Sequence, residues 1–455
     1  MSEIEWDLTL IQKYNQSGPR YTSYPTALEF NDAYSEQDFL QAARRYPNRP
    51  LSLYVHIPFC HKLCYFCACN KIITRHQHKA DIYLDYLEKE IKARAELFTQ
   101  RTVTQIHWGG GTPTYLSEAQ STRLMQMLRD HFHISDQAEI SIEMDPREIE
   151  LSMLDHLRKI GFNRISMGIQ DFNKDVQAAI NRIQDEAFIF SLMKKARELG
   201  FTSTNIDLIY GLPYQTVDSF MATLQRVSEL NPDRMSVFNY AHLPSRFAGQ
   251  HKIKDDTLPP ANSKLTILQK TIETLTGAGY RFIGMDHFAK PDDELAIAQQ
   301  NGVLHRNFQG YTTQEEADLL GLGVSAISLM GDHYAQNQKE LKQYYADVED
   351  HANALHKGFV MSEEDCLRRD VIKALICNFR LDYAPLEQQY QINFKQHFAE
   401  DLELLKPLAE DGLLTIDETA LVVSAKGRLL IRNICLCFDT YSRQLAKRQQ
   451  FSRII

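Results

Sequence analysis

The sequence predicts an α/β architecture: a parallel sheet built from six or seven βα units, followed by a mainly helical module. Three observations predict it. Between about residues 50 and 300, short runs that alternate apolar and polar residues are separated by segments with helical spacing. These runs and segments follow one another in a strict strand–helix order, and parallel neighbours need such crossover connections. At 455 residues and 44% apolar, the chain is long enough to bury a large core under such a sheet.

Taken in order, residues 1–45 carry little periodicity and form an N-terminal arm, with a turn-rich aromatic stretch from Asn15 to Pro25. The first strand is Leu51–Ile57, and the helix after it carries Leu84, Leu87, Ile91, Ala95 and Phe98 on one stripe. Further strands are expected near 103–108, 138–144, 163–169, 203–209, 233–239 and 280–285. Helices are expected near 117–131, 150–160, 185–199, 215–229 and 261–278. Beyond about 300 the rhythm fades, so 46–300 forms the βα domain and 301–364 a connecting segment. Residues 365–455 form a separate domain, with Leu402, Leu405 and Leu408 in helical spacing and a hairpin pattern over 412–423. Helices followed by a small hairpin suggest a winged-helix-like fold. That segment has 13 basic and 14 acidic residues from 361 onward, which argues against the DNA binding such folds often serve.

Strand alternation carries a second inference. Strands buried on both faces read as continuous apolar runs, and these do not. Leu51, Leu53, Val55 and Ile57 share one face of the first strand while Tyr54 and His56 share the other. Ala138, Ile140, Ile142 and Met144 oppose Ser141 and Glu143. Ile165, Met167 and Ile169 oppose Ser166 and Gln170, and Ile206 and Leu208 oppose Asn205 and Asp207. With the apolar faces against helices, Tyr54, His56, Glu143, Gln170 and Asp207 converge near the carboxyl ends of the strands, where parallel α/β architectures place their active sites.

Lys+Arg total 50 against 59 Asp+Glu, a formal charge of −9, which speaks against nucleic-acid or membrane-surface binding. The N-terminus has no signal-peptide pattern and no run is long enough to span a bilayer, so the expectation is a cytoplasmic protein with no membrane partner. Of eight cysteines, Cys60, Cys64, Cys67 and Cys69 fall within ten residues, directly after the first strand. In such a compartment a dense cluster points to metal or redox chemistry rather than to disulfides. C-x3-C-x2-C can hold three corners of a four-iron four-sulfur cluster, and four thiolates can instead close a structural zinc site. After the strand 103–108 comes Gly109-Gly110-Gly111-Thr112-Pro113, whose glycines let the backbone approach a small polar ligand; it lacks dinucleotide-fingerprint spacing.

The C-x3-C-x-F-C spacing, its place after the first strand and the Gly-rich loop resemble the radical S-adenosylmethionine enzymes, which are built on a partial (β/α)6 barrel. Tyr54-Val-His-Ile-Pro-Phe-Cys60, Cys69, Ile209-Tyr-Gly-Leu-Pro213, Asn239-Tyr-Ala-His-Leu-Pro244 and His305-Arg-Asn-Phe-Gln-Gly-Tyr311 resemble, more narrowly, the oxygen-independent coproporphyrinogen III oxidase (dehydrogenase) family of haem biosynthesis. The likeness runs over essentially the whole chain. One departure is Ala68, where that family often carries Gly.

The resemblance implies a 4Fe–4S cluster on Cys60, Cys64 and Cys67, with S-adenosylmethionine bound to its unique iron and lined by Tyr54, Gly110, Glu143 and Ile327. Phe66, Gly111, Thr112, Gln170, Arg182, Asp207 and Ala241 match positions that in the family contact a second S-adenosylmethionine. It implies catalytic roles for Tyr54, His56, Cys69, Glu143, Phe308 and Gln309, with Cys69 outside the ligand set. The implied reaction is anaerobic oxidative decarboxylation of two propionates of coproporphyrinogen III to vinyl groups, giving protoporphyrinogen IX, through 5′-deoxyadenosyl radicals. A flavodoxin or ferredoxin would donate electrons to a monomeric enzyme. The alternative is a haem-binding chaperone of the same superfamily without decarboxylase activity. Taken singly, each residue also has a plain reading: Tyr54 and Phe66 as packing aromatics, His56 as a satisfied interior histidine, Glu143 and Asp207 as ion-pair partners, Arg182 as a solvated charge. Four propionates on an acidic chain demand local cations, for which Arg20 and Lys62 are candidates.

Overall fold

The computed structural model describes residues 4–16 and 18–445, so the last ten residues of the expected C-terminal module lie outside the described residues. The chain divides into two compact units, one made of Phe30–Thr271 and Glu316–Val360, the other of Met1–Glu29, Ile272–Glu315 and Met361–Ile455.

The first unit is the partial barrel. Its six parallel strands are β1 (Leu51–Ile57), β2 (Thr102–Gly110), β3 (His133–Met144), β4 (Arg164–Gln170), β5 (Ser203–Tyr210) and β6 (Arg234–Asn239). Each pairs in parallel with the next in chain order. Crossovers that always step the same way put every helix on one side and curl the sheet toward a barrel, with no reversal of strand order. The connecting helices are α1 (His78–Ala95), α2 (Glu118–His131), α3 (Ser152–Ile160), α4 (Lys174–Ala179), α5 (Glu186–Glu198) and α6 (Val217–Leu230). Their starts follow local chemistry: Ser117 and Thr216 form capping boxes with Gln120 and Ser219, and Asn173 and Asp185 cap α4 and α5. Helix α3 ends at Gly161, whose φ of 113° suits a residue without a Cβ.

The predicted alternation is present. Leu51, Leu53, Val55 and Ile57 are fully buried, as are Ile142, Met167, Ile206 and Leu208, and they face Leu84, Leu87, Leu124, Leu157, Leu192 and Phe220 of the helix layer, all buried as well. The run at 280–285 departs from expectation. Arg281–Gly284 turns back at once to pair antiparallel with His287–Ala289, so it is no parallel βα strand. The parallel neighbour on the free side of β1 comes instead from β7 (Asp318–Leu322), and β8 (Ile327–Met330), β9 (His333–Asn337) and β10 (Leu355–Val360) extend the sheet antiparallel. These short strands follow one another through turns, which is why the βα rhythm stops before them. Glu90, buried on α1, ties this extension down: it accepts from the Gly323 amide at 2.8 Å, Asn337 Nδ2 at 2.6 Å and the Tyr344 hydroxyl at 2.7 Å.

In the second unit, helices Glu363–Asn378, Tyr383–Tyr390 and Ala399–Glu410 pack with a three-stranded antiparallel sheet of Arg380–Asp382, Leu414–Ile416 and Ala420–Val423. The hairpin read at 412–423 is its Leu414–Val423 arm. Among the described residues no helix is long and apolar enough to cross a membrane.

Candidate active site

The polar face of the barrel unit is laid out by strand register. Tyr54 lies opposite His107, His107 opposite Ser141, Glu143 opposite Ser166, and Gly168 opposite Asp207. Side chains bond across these rungs. The Tyr54 ring stacks on His107 with centroids 5.9 Å apart, His107 Nδ1 meets Ser141 Oγ at 2.7 Å, and His107 Nε2 meets Glu143 Oε1 at 3.3 Å. Glu143 Oε2 also accepts from the Gly110 amide at 3.3 Å. His56 Nε2 lies 3.0 Å from the Asn70 carbonyl, which can only accept, so that nitrogen carries the proton and Nδ1 accepts from the Tyr54 hydroxyl at 3.1 Å. Burial pushes His56 down and Tyr54 up, so both are neutral at physiological pH.

After β1 the chain enters the cysteine loop, pinned by backbone bonds from Ile72 to Pro58 and from Thr74 to Cys60. Gly111 belongs to the same knot: a Cβ there would stand 2.6 Å from the Pro58 carbonyl oxygen, and one at Gly110, where φ is 124°, 2.9 Å from the His56 ring. The four thiols differ. Cys60 meets Thr112 Oγ1 at 3.3 Å, and burial, together with the charge that Cys64 and Cys67 would carry, pushes its thiol up to about 12. Cys64 accepts from Arg147 Nη2 at 3.2 Å and Arg182 Nη1 at 3.4 Å. A hydrogen bond between Cys67 and Cys69 pulls Cys67 down to about 6 and pushes Cys69, the most exposed of the four, upward.

Arg147 and Arg182 are held by one carboxylate. Asp145 Oδ2 lies 2.5 Å from Arg147 Nη2 and 3.1 Å from Arg182 Nη1, all three side chains being buried, and the two guanidiniums overcome burial to keep Asp145 ionised down to about pH 2. Arg182 also donates to the Gly168 carbonyl through Nε at 3.0 Å and through Nη2. Gln170, with a φ of 68°, ends β4 with its buried Oε1 unpartnered. Asp207 accepts from Asn205 Nδ2 at 2.9 Å, yet burial raises it to about 6.

These features fit the cofactors that the motifs imply. Three thiols in one loop, one of them accepting from two guanidiniums, are the donor set of a cluster. A glycine cradle closed to any Cβ, with an orphaned buried carbonyl at Gln170, is the chemistry of a pocket for a small polar ligand. Among the described residues no three His, Cys, Asp or Glu groups are gathered closely enough for a single metal ion. Thiolates on separate irons of a cluster stand farther apart than ligands of one ion.

The structure brings together Tyr54, His56, Cys60, Cys64, Cys67, Cys69, Gly110, Gly111, Thr112, Glu143, Gln170, Arg182 and Asp207 in the barrel unit. Ala241 follows β6, where Gln250 Nε2 donates to its carbonyl at 3.2 Å and to that of Phe66 at 3.0 Å. The Phe66 ring packs beside Val176, Ile180 and Leu212. Ile327 opens β8 against Gly321. Phe308 and Gln309 belong to the other unit, at the turn of a hairpin between His305–Asn307 and Gly310–Thr312. Lys62 is taken up by Glu148 at 2.7 Å. Residues not named from the sequence are His107, Asp145 and Arg147; Ser166 and Asn205 were placed on the polar face but not among the converging site residues. His107 was signalled by the alternation of Gln105 and His107 with Ile106 and Trp108; Asp145 and Arg147 follow β3 in a loop, where no period applies.

Comparison with known proteins adds the following. Residues 54–227 match the model of the radical SAM superfamily, and residues 361–430 match that of the HemN C-terminal domain. The chain is 70% identical over 455 residues, the full length of both chains, to the oxygen-independent coproporphyrinogen III oxidase of Escherichia coli K12. It is 48% identical over the full length of both chains to the Pseudomonas aeruginosa protein of the same name. The solved structure of the E. coli coproporphyrinogen III oxidase, described as a radical SAM enzyme, superposes with a TM-score of 0.94 at 68% identity, covering 97% of this chain and 100% of that one.

Proposed function

The chain belongs to the oxygen-independent coproporphyrinogen III oxidase family of the radical SAM superfamily, and on that premise we propose that it oxidatively decarboxylates two propionates of coproporphyrinogen III to vinyl groups, giving protoporphyrinogen IX without molecular oxygen. The observation that carries the reading is the joint presence of a three-thiol loop and a glycine cradle at the mouth of a polar-faced partial barrel, in a chain alike to these oxidases from end to end. Side chains alone cannot take hydrogen from an unactivated propionate carbon; when bound, a 4Fe–4S cluster and S-adenosylmethionine supply the electron and the 5′-deoxyadenosyl radical that can.

The chain's own groups hold and orient. Cys60, Cys64 and Cys67 are the proposed cluster ligands, with Arg147 and Arg182 donating to the Cys64 sulfur and holding it in place. Gly110, Tyr54, Glu143 and Ile327 would take the amino-acid end and body of the cofactor, Glu143 being already oriented by His107 and the Gly110 amide. Phe66, Gly111, Thr112, Gln170, Arg182, Asp207 and Ala241 would line a second cofactor. His56, neutral and bonded at both nitrogens, orients Tyr54 rather than moving a proton. Cys69, Phe308 and Gln309 are proposed to act toward the substrate. A flavodoxin or ferredoxin as donor, a monomer, and a cytoplasmic location complete the reading.

The test is anaerobic. Reconstituted, reduced protein given S-adenosylmethionine and coproporphyrinogen III is expected to release CO2 and form protoporphyrinogen IX. Cleavage of S-adenosylmethionine without CO2 would instead support a haem-binding chaperone.

A further inference from the structure

An acidic chain that handles a tetracarboxylate needs local basic groups, and the second unit gathers three guanidiniums around one carboxylate. Arg432, buried, donates from Nε to the Pro19 carbonyl at 2.8 Å and from Nη2 to the Gly18 carbonyl, fixing the arm beside Arg20. Arg20 Nη1 pairs with Asp286 Oδ2 at 2.7 Å. Asp286 sits in the turn between Arg281–Gly284 and His287–Ala289, and Tyr311 packs on that turn: its ring meets His287 edge-on at 5.1 Å, and its hydroxyl stands 2.5 Å from where a Gly284 Cβ would be. Arg306, opposite Tyr311 in the hairpin, lays its guanidinium over that ring at 4.7 Å. Arg306 Nε and Nη1 are both buried and have no partner, and Gln309 Nε2 at the turn of the same hairpin is a third buried donor without one.

The charges do not balance. Three guanidiniums are linked through these contacts, and the carboxylate among them, Asp286, is engaged by Arg20. Neighbouring acids are committed elsewhere: Glu315 to His305 at 2.9 Å, Asp370 to Arg369 and the Tyr390 hydroxyl, Asp439 to the Tyr21 hydroxyl and the Ser442 amide. Burial, with Arg20 and Arg306 close by, lowers Arg432 to about 10. A buried guanidinium with unfilled donors beside two others is costly to maintain unless an anion completes it.

We propose that Arg306, backed by Arg432 and Arg20, is a carboxylate subsite that takes one propionate of the tetrapyrrole. The inference rests on the oxidase reading and deepens it, by naming a recognition group for the substrate's carboxylates. A guanidinium with open N–H groups suits a carboxylate better than the point charge of a lysine.

The test compares coproporphyrin III, the oxidised and unreactive form, with its tetramethyl ester, using wild type, Arg306→Gln and Arg306→Lys. Loss of a charge-assisted contact is expected to weaken binding of the acid about tenfold or more in Arg306→Gln. Arg306→Lys should fall between, and the ester should bind wild type and Arg306→Gln alike. Iron content and thermal midpoint serve as the fold control. Equal binding of the acid by wild type and Arg306→Gln, or parallel loss of acid and ester, overturns the subsite. Turnover separates the two readings. Wild type that decarboxylates while Arg306→Gln keeps its KM overturns the subsite alone; wild type that neither binds nor decarboxylates coproporphyrinogen III overturns both.

Discussion

At the scale of single residues, the four cysteines of the loop do different work. Cys64 is bonded by Arg147 and Arg182, whereas Cys69 is exposed and bonded to Cys67. Cys64→Ser is therefore expected to abolish cluster incorporation, seen as loss of iron and of the brown absorbance, and Cys69→Ser to retain both. Loss of iron in Cys69→Ser would make it a ligand. Asp207 offers a pH test. Its folded value of about 6 exceeds the ordinary carboxylate value of 3.8 because it is buried, so the folded state binds the proton more tightly than the unfolded one. Stability from this group is fully present below about pH 4 and is lost as pH rises to about 6. Asp207→Asn should thus change stability little at pH 4 and increase it by up to about 3 kcal/mol at pH 7, seen as a raised thermal midpoint there only; the same shift at both pH values would contradict this. Tyr54, His56, Glu143, Gln170 and Asp207 were legible from alternation, because a strand puts every second side chain on one face. Asp145 and Arg147 were not, since the loop after β3 gives their spacing no meaning until the chain folds back over the cysteines.

Elements show where reading the sequence succeeds and where it stops. Helices α1, α2, α3, α5 and α6 and strands β1 to β6 were visible because each buries one face against a neighbouring layer, and the caps Ser117, Asp185 and Thr216 mark starts that the apolar spacing also marks, whereas α4, six residues long, is too short to show a helical period. Strands β7 to β10 were not: they are four to six residues long, so their period is short, and β7 and β9 are buried throughout. What holds this extension to the barrel includes a buried polar contact, Glu90, invisible to any hydrophobic pattern. Glu90→Leu leaves the Tyr344 hydroxyl, the Asn337 amide and the Gly323 N–H without their acceptor, a loss of about 2–4 kcal/mol measurable by denaturant unfolding. The glycine loop carries the complementary test. Gly111→Ala drives a methyl into the Pro58 carbonyl, so it should cost about 1–3 kcal/mol in stability and weaken S-adenosylmethionine binding by calorimetry; unchanged affinity would place the cofactor elsewhere.

For the whole molecule, chemistry is divided between a barrel unit that carries every proposed cofactor group and a second unit that carries Phe308, Gln309 and the arginines around Asp286. Net charge on its own only excluded broad classes of partner; the three-dimensional grouping of Arg20, Arg306 and Arg432, far apart in sequence, is what turns a few basic residues into a recognisable site. In the proposed reaction hydrogen is taken from the β-carbon of a propionate that then loses CO2. Coproporphyrinogen III deuterated at the propionate β-carbons tests it most directly, in a single anaerobic turnover analysed by mass spectrometry. One deuterium is expected in 5′-deoxyadenosine for each CO2 released and each vinyl group formed. Unlabelled 5′-deoxyadenosine, or CO2 out of proportion to the label, would contradict it.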